Sequence, residues 1–215
     1  IETFNMTDSR VPPQMNTKEA NEIVGKLSRT SKMPCHSYNL PATRCVTGAK
    51  MVKIKGTTCY NCYALKGMYR FKCVKNAMER RYKAIAKAEW VFAMAVLLNS
   101  KKSKYFRWHD SGDIQSLEHL KQIFEVCKAT PSITHWLPTR ESQILAQVKK
   151  SDVPENLVTR LSAIKVNGNA PKSWHLTSTV LTENATCPAY KQGGKCLDCR
   201  NCWNKDIKNV SYPLH

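Results

Sequence analysis

The chain contains 215 residues, of which 42% are hydrophobic, enough to bury the core of one large domain or two small ones. Its longest apolar run, over residues 90–98, is about half the length that a membrane-spanning helix needs, and its polar N-terminus lacks the apolar segment of a secretion signal. The formal net charge of +18 favours a polyanionic partner, such as nucleic acid, nucleotides or an acidic protein, although it also suits a basic soluble surface or the balance of anionic metal clusters.

The N-terminal part of the chain predicts little regular structure. Residues 1–31 are polar and proline-containing, and we interpret them as an N-terminal extension with a short helix over residues 17–27, capped by Asn16 or Thr17. Two prolines within residues 32–48 predict an extended, irregular segment.

From residue 78 onward, helices and strands are expected to alternate. Helices are expected around residues 78–82, 90–98, 116–128 and 142–149, and strands at residues 105–109, 134–138, 157–164 and 175–181. The short connections indicate βαβ units, which predict a mainly parallel sheet in a single α/β domain over residues 32–215, with cysteine-rich metal-binding loops at both ends. Periodicity leaves open whether the sheet closes into a partial or distorted TIM-like barrel.

Polar side chains follow the predicted strands at their C-terminal ends. In α/β folds binding sites lie at this edge, because the loops there converge around helix N-termini. We therefore expect a site whose candidate catalytic residues are His109, Asp110, Asp113 and Arg140, and whose candidate cofactor-binding residues are Ser111, Gly112 and Arg160. Arginine binds carboxylate or phosphate with two hydrogen bonds, and histidine or aspartate can move a proton. Helix capping, loop solvation or a network that holds the loop is the alternative role for each residue.

Near the C-terminus, four cysteines have the spacing of metal ligands. Cys187 precedes a strict Cys-x2-Cys-x2-Cys run formed by Cys196, Cys199 and Cys202. Bacterial ferredoxins place thiolates around an iron–sulfur cubane at this step, whereas zinc needs only one Cys-x2-Cys pair here and a second pair from elsewhere. The run therefore favours a [4Fe-4S] cluster, with zinc, and then disulfides or free thiols, as alternatives.

A second cysteine group lies in the N-terminal half, where Cys45 precedes the pair Cys59 and Cys62. Two clusters would divide the seven thiols as three plus four, whereas a single cluster or zinc ion shared between the halves would take two from each group. Three protein ligands on a four-iron cluster leave one iron open to a substrate or to S-adenosylmethionine. Cys35 or Cys73 is the alternative fourth ligand.

Residues 32–203 resemble a family of phage-encoded proteins known as gene product eighty-eight. The resemblance lies in Lys32-Met-Pro, Ser37-Tyr-Asn-Leu-Pro-Ala, Cys45-x-x-Gly48, Cys59-x-x-Cys62-Tyr-Ala, Arg107-x-His109-x-Ser111-Gly112-Asp113 and Cys187-Pro … Cys196-x-x-Cys199-Arg-x-Cys202-Trp. The family is distantly similar to radical S-adenosylmethionine proteins with barrel-like cores, which implies a cluster at the C-terminal edge of the strands. Resemblance to a phage-encoded family implies a location in the cytoplasm of the infected host cell. The chain lacks the Cys-x3-Cys-x2-Cys motif of those enzymes.

Three functions are consistent with these features. The first is an iron–sulfur enzyme, of redox or radical type, with its site at the sheet edge. The second is a nucleic-acid-binding protein whose cluster or zinc site is structural, as suggested by lysine-rich residues 101–104 and by residues 66–87, where aromatic side chains are interleaved; a solvated basic helix face is the alternative. The third, an electron carrier, leaves the polar strand ends unexplained.

Overall fold

The computed structural model of the protein describes residues 15–214, which form a mixed α/β domain around one seven-stranded sheet. The strands are β1 (Ser28–Arg29), β2 (His36–Tyr38), β3 (Tyr105–Trp108), β4 (Thr134–Thr139), β5 (Leu157–Ser162), β6 (Thr177–Leu181) and β7 (Asn209–Pro213). The helices are α1 (Thr17–Val24), α2 (Val46–Met51), α3 (Lys72–Ala84), α4 (Trp90–Asn99), α5 (Leu117–Lys128) and α6 (Ser142–Leu145). None of the helices that the structure describes has the length and apolar character needed to cross a lipid bilayer.

The strands lie in the sheet in the order in which they occur in the chain. β1 pairs antiparallel with β2, and every later pair, from β2–β3 to β6–β7, is parallel, which confirms the mainly parallel sheet. The C-terminal ends of β2 to β7 therefore lie along a common edge. Within residues 15–214 no pairing joins β7 to β1, so barrel closure is not confirmed and the sheet is open.

The two faces of the sheet bury different kinds of side chain. Along β3, Phe106 and Trp108 point into the large core formed with helices α1, α4 and α5, which we call the helix face. Tyr105 and Arg107 alternate with them and point to the opposite, inner face. On the inner face Trp136 and Trp203 pack together in a second, smaller core. The inner face is therefore covered by the cysteine-rich C-terminal segment instead of by helices.

The predicted helices and strands of the second half are confirmed, with small shifts at their ends. Ser116 caps α5 by accepting a hydrogen bond from the backbone N–H of His119 at 3.1 Å. The last predicted helix is shorter than expected, because α6 ends at Leu145. β7 was not predicted, and it ends at Pro213, a residue that a sheet tolerates on an edge strand.

The N-terminal segment is part of the domain from the first described residue onward. Asn16, one of the two predicted caps, caps α1 with a full capping box, and Gly25 ends the helix in a left-handed conformation with φ +78°. Ala20 and Val24 are fully buried in the helix-face core, so α1 packs against the rest of the structure. Residues 1–14 of the predicted extension lie outside the described residues.

The prediction of an irregular segment over residues 32–48 was wrong in part. This stretch contains β2 and the start of α2. β2 has only three residues and exists because it pairs with β3, which follows it by more than sixty residues. Such a long-range partner leaves no periodic signal in the local sequence.

Gly112 sits where two strand-end loops meet. Its φ is +80°, and a Cβ atom at this position would lie 2.6 Å from Leu40 Cβ and 2.8 Å from the Leu40 carbonyl oxygen. The neighbouring Ser111 Oγ donates to the same carbonyl at 2.9 Å. Only glycine allows the loop after β3 to approach the segment after β2 this closely.

We therefore expect Gly112→Ala to lower the free energy of unfolding by about 2–5 kcal/mol, from left-handed strain plus overpacking. Gly56→Ala is the matched control, since Gly56 has φ +81° but no atom of the described residues lies within 4 Å of the added Cβ. It isolates the strain and should lower stability by about 1–2 kcal/mol. Equal losses in urea unfolding of both variants would contradict the close contact with Leu40.

Candidate functional site

A cavity of about 560 Å³ lies against the inner face and the C-terminal edge of the sheet. This volume falls in the usual range for small-molecule sites. Residues from β3 to β7 and from the loops that follow them form one wall, and residues 58–64 and Tyr69 form another. Six cysteines from both halves of the chain border this space: Cys45, Cys59, Cys62, Cys187, Cys196 and Cys202.

The wall formed by residues 58–64 is attached to the ends of two strands. The Thr58 backbone N–H donates to the Ile164 carbonyl at 2.8 Å, just beyond β5. The Tyr63 hydroxyl donates to the backbone carbonyl of Asp110, just beyond β3. These bonds fix an otherwise irregular loop over the edge of the sheet.

Helix α2 is attached to the end of β4 in the same way. The buried Glu141 carboxylate accepts hydrogen bonds from the Thr47 backbone N–H at 2.8 Å and from the Thr47 hydroxyl at 2.5 Å. The helix follows directly after Cys45 and carries Gly48 on the side of the thiols. A Cβ atom on Gly48 would lie 3.4 Å from Cys59 Sγ and 3.7 Å from Cys45 Sγ. The absence of a side chain at Gly48 keeps space beside two sulfur atoms.

Cys45, Cys59 and Cys62, which we call the first thiol group, lie together at this end of the cavity. Burial raises the pKa of Cys45 far above its ordinary value, and the neighbouring Asp113, Cys62 and Cys59 raise it further. Burial also raises the pKa of Cys59. Thiols of this kind are poor free nucleophiles at neutral pH. A bound metal reverses this preference, because it deprotonates the thiols that coordinate it.

Cys187, Cys196, Cys199 and Cys202 form the second thiol group, on the inner face. The loop is held by backbone bonds: Cys187 N–H donates to Ser211 at 2.9 Å, and Cys196 N–H donates to Lys32 at 2.8 Å. Burial raises the pKa of Cys202 to about 11, and its sulfur lies 3.2 Å from the Tyr212 hydroxyl. Hydrogen bonds to neighbouring segments, in addition to the loop's own turns, therefore position these thiols.

The other cysteines differ in their surroundings. Cys35 is 1% exposed and packs in the inner-face core with Cys196 and Cys202. Cys73 is exposed on α3, and Cys127 is buried in the helix-face core. Within residues 15–214 no group of three or more histidine, cysteine, aspartate or glutamate side chains is arranged as a site for a single metal ion. The structure therefore shows two groups of thiols around a cavity but does not show the predicted metal-binding loops, and a metal centre remains a proposal.

Arg160 has a different role from the predicted cofactor contact. Its side chain is completely buried, and its donors are shared among five backbone carbonyls. The distances are 3.2 Å to Cys202, 3.3 Å to Thr177, 2.8 Å to Ile207, 3.1 Å to Asn201 and 2.7 Å to Asn204. Four of these carbonyls belong to the segment that ends the second thiol group. Because no donor is left for a ligand, Arg160 holds this segment on the inner face.

The histidine predicted as a catalytic residue faces the core. His109 is 3% exposed, and its ring centroid lies 5.3 Å from that of His119 in α5. Neither ring nitrogen of His109 has a hydrogen-bond partner among the described residues. Burial lowers its pKa well below the ordinary value, so the ring is neutral. His109 packs against α5 and also borders the cavity, so its catalytic role stays a prediction.

Asp113 joins the loops that follow β3 and β4. Its carboxylate accepts hydrogen bonds from Ile114 N at 2.8 Å, Thr139 Oγ1 at 2.6 Å and Arg140 N at 2.8 Å. Burial nevertheless raises its pKa to about 7, although these hydrogen bonds act in the opposite direction. Asp113 borders the cavity and can hold or release a proton near neutral pH.

Asp110 and Arg107 are the polar groups best placed to meet a ligand. Asp110 is 2% exposed, and its Oδ2 accepts from the Tyr69 hydroxyl at 3.2 Å, whereas its Oδ1 is buried without a partner among the described residues. The Arg107 guanidinium lies 4.5 Å from the centre of the Trp136 ring, and its Nε also lacks a partner within residues 15–214. Both residues border the cavity, so each has hydrogen-bonding capacity available there.

The sequence did not predict Arg107 or Gly48 as functional residues. Both occur only within the motifs that resemble the phage family. The alternation within β3 could have singled out Arg107, because it shares a face with Tyr105 and not with Phe106 and Trp108. Arg140 was selected, and it borders the cavity while its Nη1 donates to the Ala163 carbonyl at 2.6 Å. Ser111 was selected as well, but its hydroxyl is used within the strand-end loops.

Replacement of Arg160 should release the second thiol group. We expect Arg160→Lys to lower the free energy of unfolding by about 3–5 kcal/mol, because a single ammonium leaves several buried carbonyls without donors. Arg44→Lys is the control, since Arg44 forms an exposed ion pair with Glu79 and its replacement should have little effect in the same urea titration. A loss of less than about 1 kcal/mol for Arg160→Lys would contradict its role.

The raised pKa of Asp113 predicts a specific pH dependence. The folded protein keeps the Asp113 proton up to about pH 7, whereas an unfolded chain releases it near the ordinary pKa of 3.8. The stability of the wild type, relative to Asp113→Asn, should therefore fall as pH rises between these two values, by about 1.4 kcal/mol per pH unit. At pH values above both pKa values, the difference in stability between the wild type and Asp113→Asn should be constant. Urea unfolding of both proteins across this range measures the difference in stability. A difference that stays constant between about pH 5 and about pH 7 would disprove the raised pKa of Asp113.

Comparisons with known proteins give one match. A family model described as gene product 88 matches residues 12–205. No curated protein matches the chain, and no solved structure matches it either. These comparisons give no support to the similarity with radical S-adenosylmethionine proteins. Because the match covers most of the sequence, this protein belongs to the gene product 88 family.

Proposed function

We propose that this protein is an iron–sulfur redox enzyme that holds a [4Fe-4S] cluster on the first thiol group and acts on a substrate in the adjoining cavity. One observation carries the proposal: two cysteine groups from distant parts of the chain border the same cavity, next to Asp110 and Asp113. Disulfide chemistry is less well supported, because all ten cysteines are free thiols and burial keeps Cys45 and Cys59 protonated.

The glycine at position 48 supports the proposal that a group binds beside the first thiol group. Glycine inside a helix is about 1 kcal/mol less favourable than alanine, so its presence in α2 needs a compensating advantage. The position of a Cβ on Gly48 would be 3.1 Å from Cys45 Cβ and 3.4 Å from Cys59 Sγ. A Cβ there would press on Cys45 and touch the sulfur of Cys59, whereas glycine leaves both cysteines free to turn toward a common ligand.

The spread of the thiols favours a cluster over a zinc ion. Tetrahedral zinc binds each sulfur at about 2.3 Å and so gathers its ligands around one point. A four-iron cluster binds each thiolate through a different iron, which requires sulfurs spaced around a larger body. Within residues 15–214 no three potential ligands gather around one point in this way, although six cysteines border the same cavity.

The electrostatic neighbours of each thiol support a division into two groups. Cys45 is influenced by Cys59 and Cys62. Cys196 is influenced by Cys187 and Cys199. This grouping supports a three-ligand site in the first group and a second cluster in the other, with the buried Cys35 next to the second.

A bound cluster supplies one-electron transfer, and with three protein thiolates it keeps one iron open for a substrate or S-adenosylmethionine. The protein's own groups have separate tasks. Arg107 and Arg140 bind an anionic group of the substrate. Asp110 accepts a hydrogen bond from the substrate through Oδ1, which has no partner in the described part of the chain, and Asp113 exchanges a proton.

Iron and acid-labile sulfide, measured after purification without air, test the proposal. We expect about four irons and four sulfides for each occupied group. Cys59→Ala and Cys196→Ala should each lose the iron of their own group, because a missing ligand removes the cluster. Cys127→Ala is the matched control, since this cysteine is equally buried but lies in the helix-face core, and it should keep the full iron content.

Gly48→Ala tests the same proposal in a second way, because it fills the space beside the first thiol group instead of removing a ligand. It should leave the fold intact, because alanine favours the helix, yet it should reduce the iron bound by the first group. Wild-type protein that contains zinc, or neither iron nor sulfide, would refute the proposal. Addition of S-adenosylmethionine to the reduced protein, followed by electron paramagnetic resonance, separates radical from simple redox chemistry: a changed cluster spectrum indicates radical chemistry.

A further inference from the structure

The part of the chain that carries the first thiol group is exceptionally basic. Residues 23–78 contain eleven of the 34 lysines and arginines and none of the 16 acidic residues. This segment therefore accounts for most of the net charge of +18 while forming about a quarter of the chain. A charge so concentrated produces a directed potential around one region of the surface.

Two stretches of this segment, residues 50–55 and 65–75, adjoin residues that border the cavity, and we call them the basic rim. Gly48 and Thr58 border the cavity on either side of the first stretch, and Ala64 and Tyr69 border it around the start of the second. The exposed cations of the basic rim are Lys50, Lys53, Lys55, Lys66, Arg70, Lys72 and Lys75. The ion pairs between described side chains, Arg44–Glu79 and Lys128–Glu125, involve none of them.

Large apolar side chains are exposed between these cations. Met68 is 67% exposed, Ile54 54% and Phe71 53%. An ordinary solvated basic face gains nothing from exposing such side chains. Phosphates pair with cations while unstacked bases pack on aromatic and apolar faces, which is how single strands are bound. A duplex hides its base faces and would leave Phe71 and Met68 without a partner.

We propose that the basic rim binds single-stranded nucleic acid and presents it to the cavity. The inference rests on the proposed function in one respect, because it names the polymer on which the cavity would act. Binding at the rim does not itself require a cluster. The Tyr69 hydroxyl, which reaches Asp110 at 3.2 Å, connects the rim directly to the cavity wall.

The test uses fluorescence anisotropy with a labelled DNA single strand of about 16 nucleotides, titrated with the full chain between about 50 and about 200 mM salt. Lys66→Gln/Arg70→Gln/Lys72→Gln should weaken binding and reduce the slope of log affinity against log salt by about 2, since each single-strand phosphate contact contributes about 0.7. Circular dichroism verifies that every variant is folded.

The control removes the same charge from the opposite edge of the sheet. Lys102 and Lys104 precede β3 and Lys149 precedes β5, and all three are exposed. Lys102→Gln/Lys104→Gln/Lys149→Gln should keep the affinity and the salt slope of the wild type. A loss equal to that of the rim variant would mean that the protein binds through net charge alone, and would overturn the proposal.

Phe71 separates stacking from charge. Phe71→Ala should weaken binding about five- to one-hundred-fold with an unchanged salt slope, because it removes a stacking surface and no cation. Phe71→Trp should restore the affinity. An affinity unaffected by Phe71→Ala, a duplex that binds as tightly as the single strand, or complete displacement by polyglutamate would each refute single-strand recognition.

The two proposals fail separately. Protein that contains iron and sulfide but does not bind the single strand would refute the nucleic-acid site alone. Protein without iron that binds the single strand, with the expected effects of the rim variants, would refute the cluster alone.

Discussion

The buried guanidinium of Arg160 is the interaction on which the inner face of this structure depends. It lies in the middle of a parallel strand, where a charged side chain without partners would be strongly destabilising. Five carbonyl groups compensate for this burial, and four of them come from one segment that has little regular structure. Arg160 therefore stabilises a loop whose buried carbonyl groups would otherwise lack hydrogen-bond donors. By holding this loop it also positions the thiols of the second group.

The same principle applies at the other end of the cavity. Glu141 replaces missing backbone partners for the first turn of α2, and the Asp110 carbonyl accepts the hydroxyl of Tyr63. Neither cysteine-rich segment has enough apolar residues for a core of its own. Each is positioned by polar groups at strand ends, which the rigid parallel sheet holds in fixed places. Separate segments can therefore contribute thiols to one cavity without pairing with each other.

Side chains along the strands are divided between the two faces of the sheet, because successive residues of a strand point to opposite sides. Side chains that alternate toward the helix face, such as those of Trp108 and His135, become part of a dry core in which histidine is neutral. Side chains that alternate toward the inner face, such as Arg107, meet the cavity. His109 follows β3 in a left-handed conformation, with φ +52°, and its ring turns back toward α5. The ring of His109 therefore packs against α5 even though the residue also borders the cavity.

The sequence by itself determined the succession of elements, because hydrophobic periods of 3.6 and 2 residues are local properties of α5, β3 and β4. It also limited the cap of the first helix to Asn16 or Thr17 and determined the spacing of the cysteine pairs, since both are short-range patterns. Only the tertiary structure decided that Arg160 is structural, that His109 faces the core and that β2 and β7 exist. These outcomes depend on partners that are distant in the chain, and the free energy of a hydrogen bond or a strand pair depends on which partner the fold brings within reach.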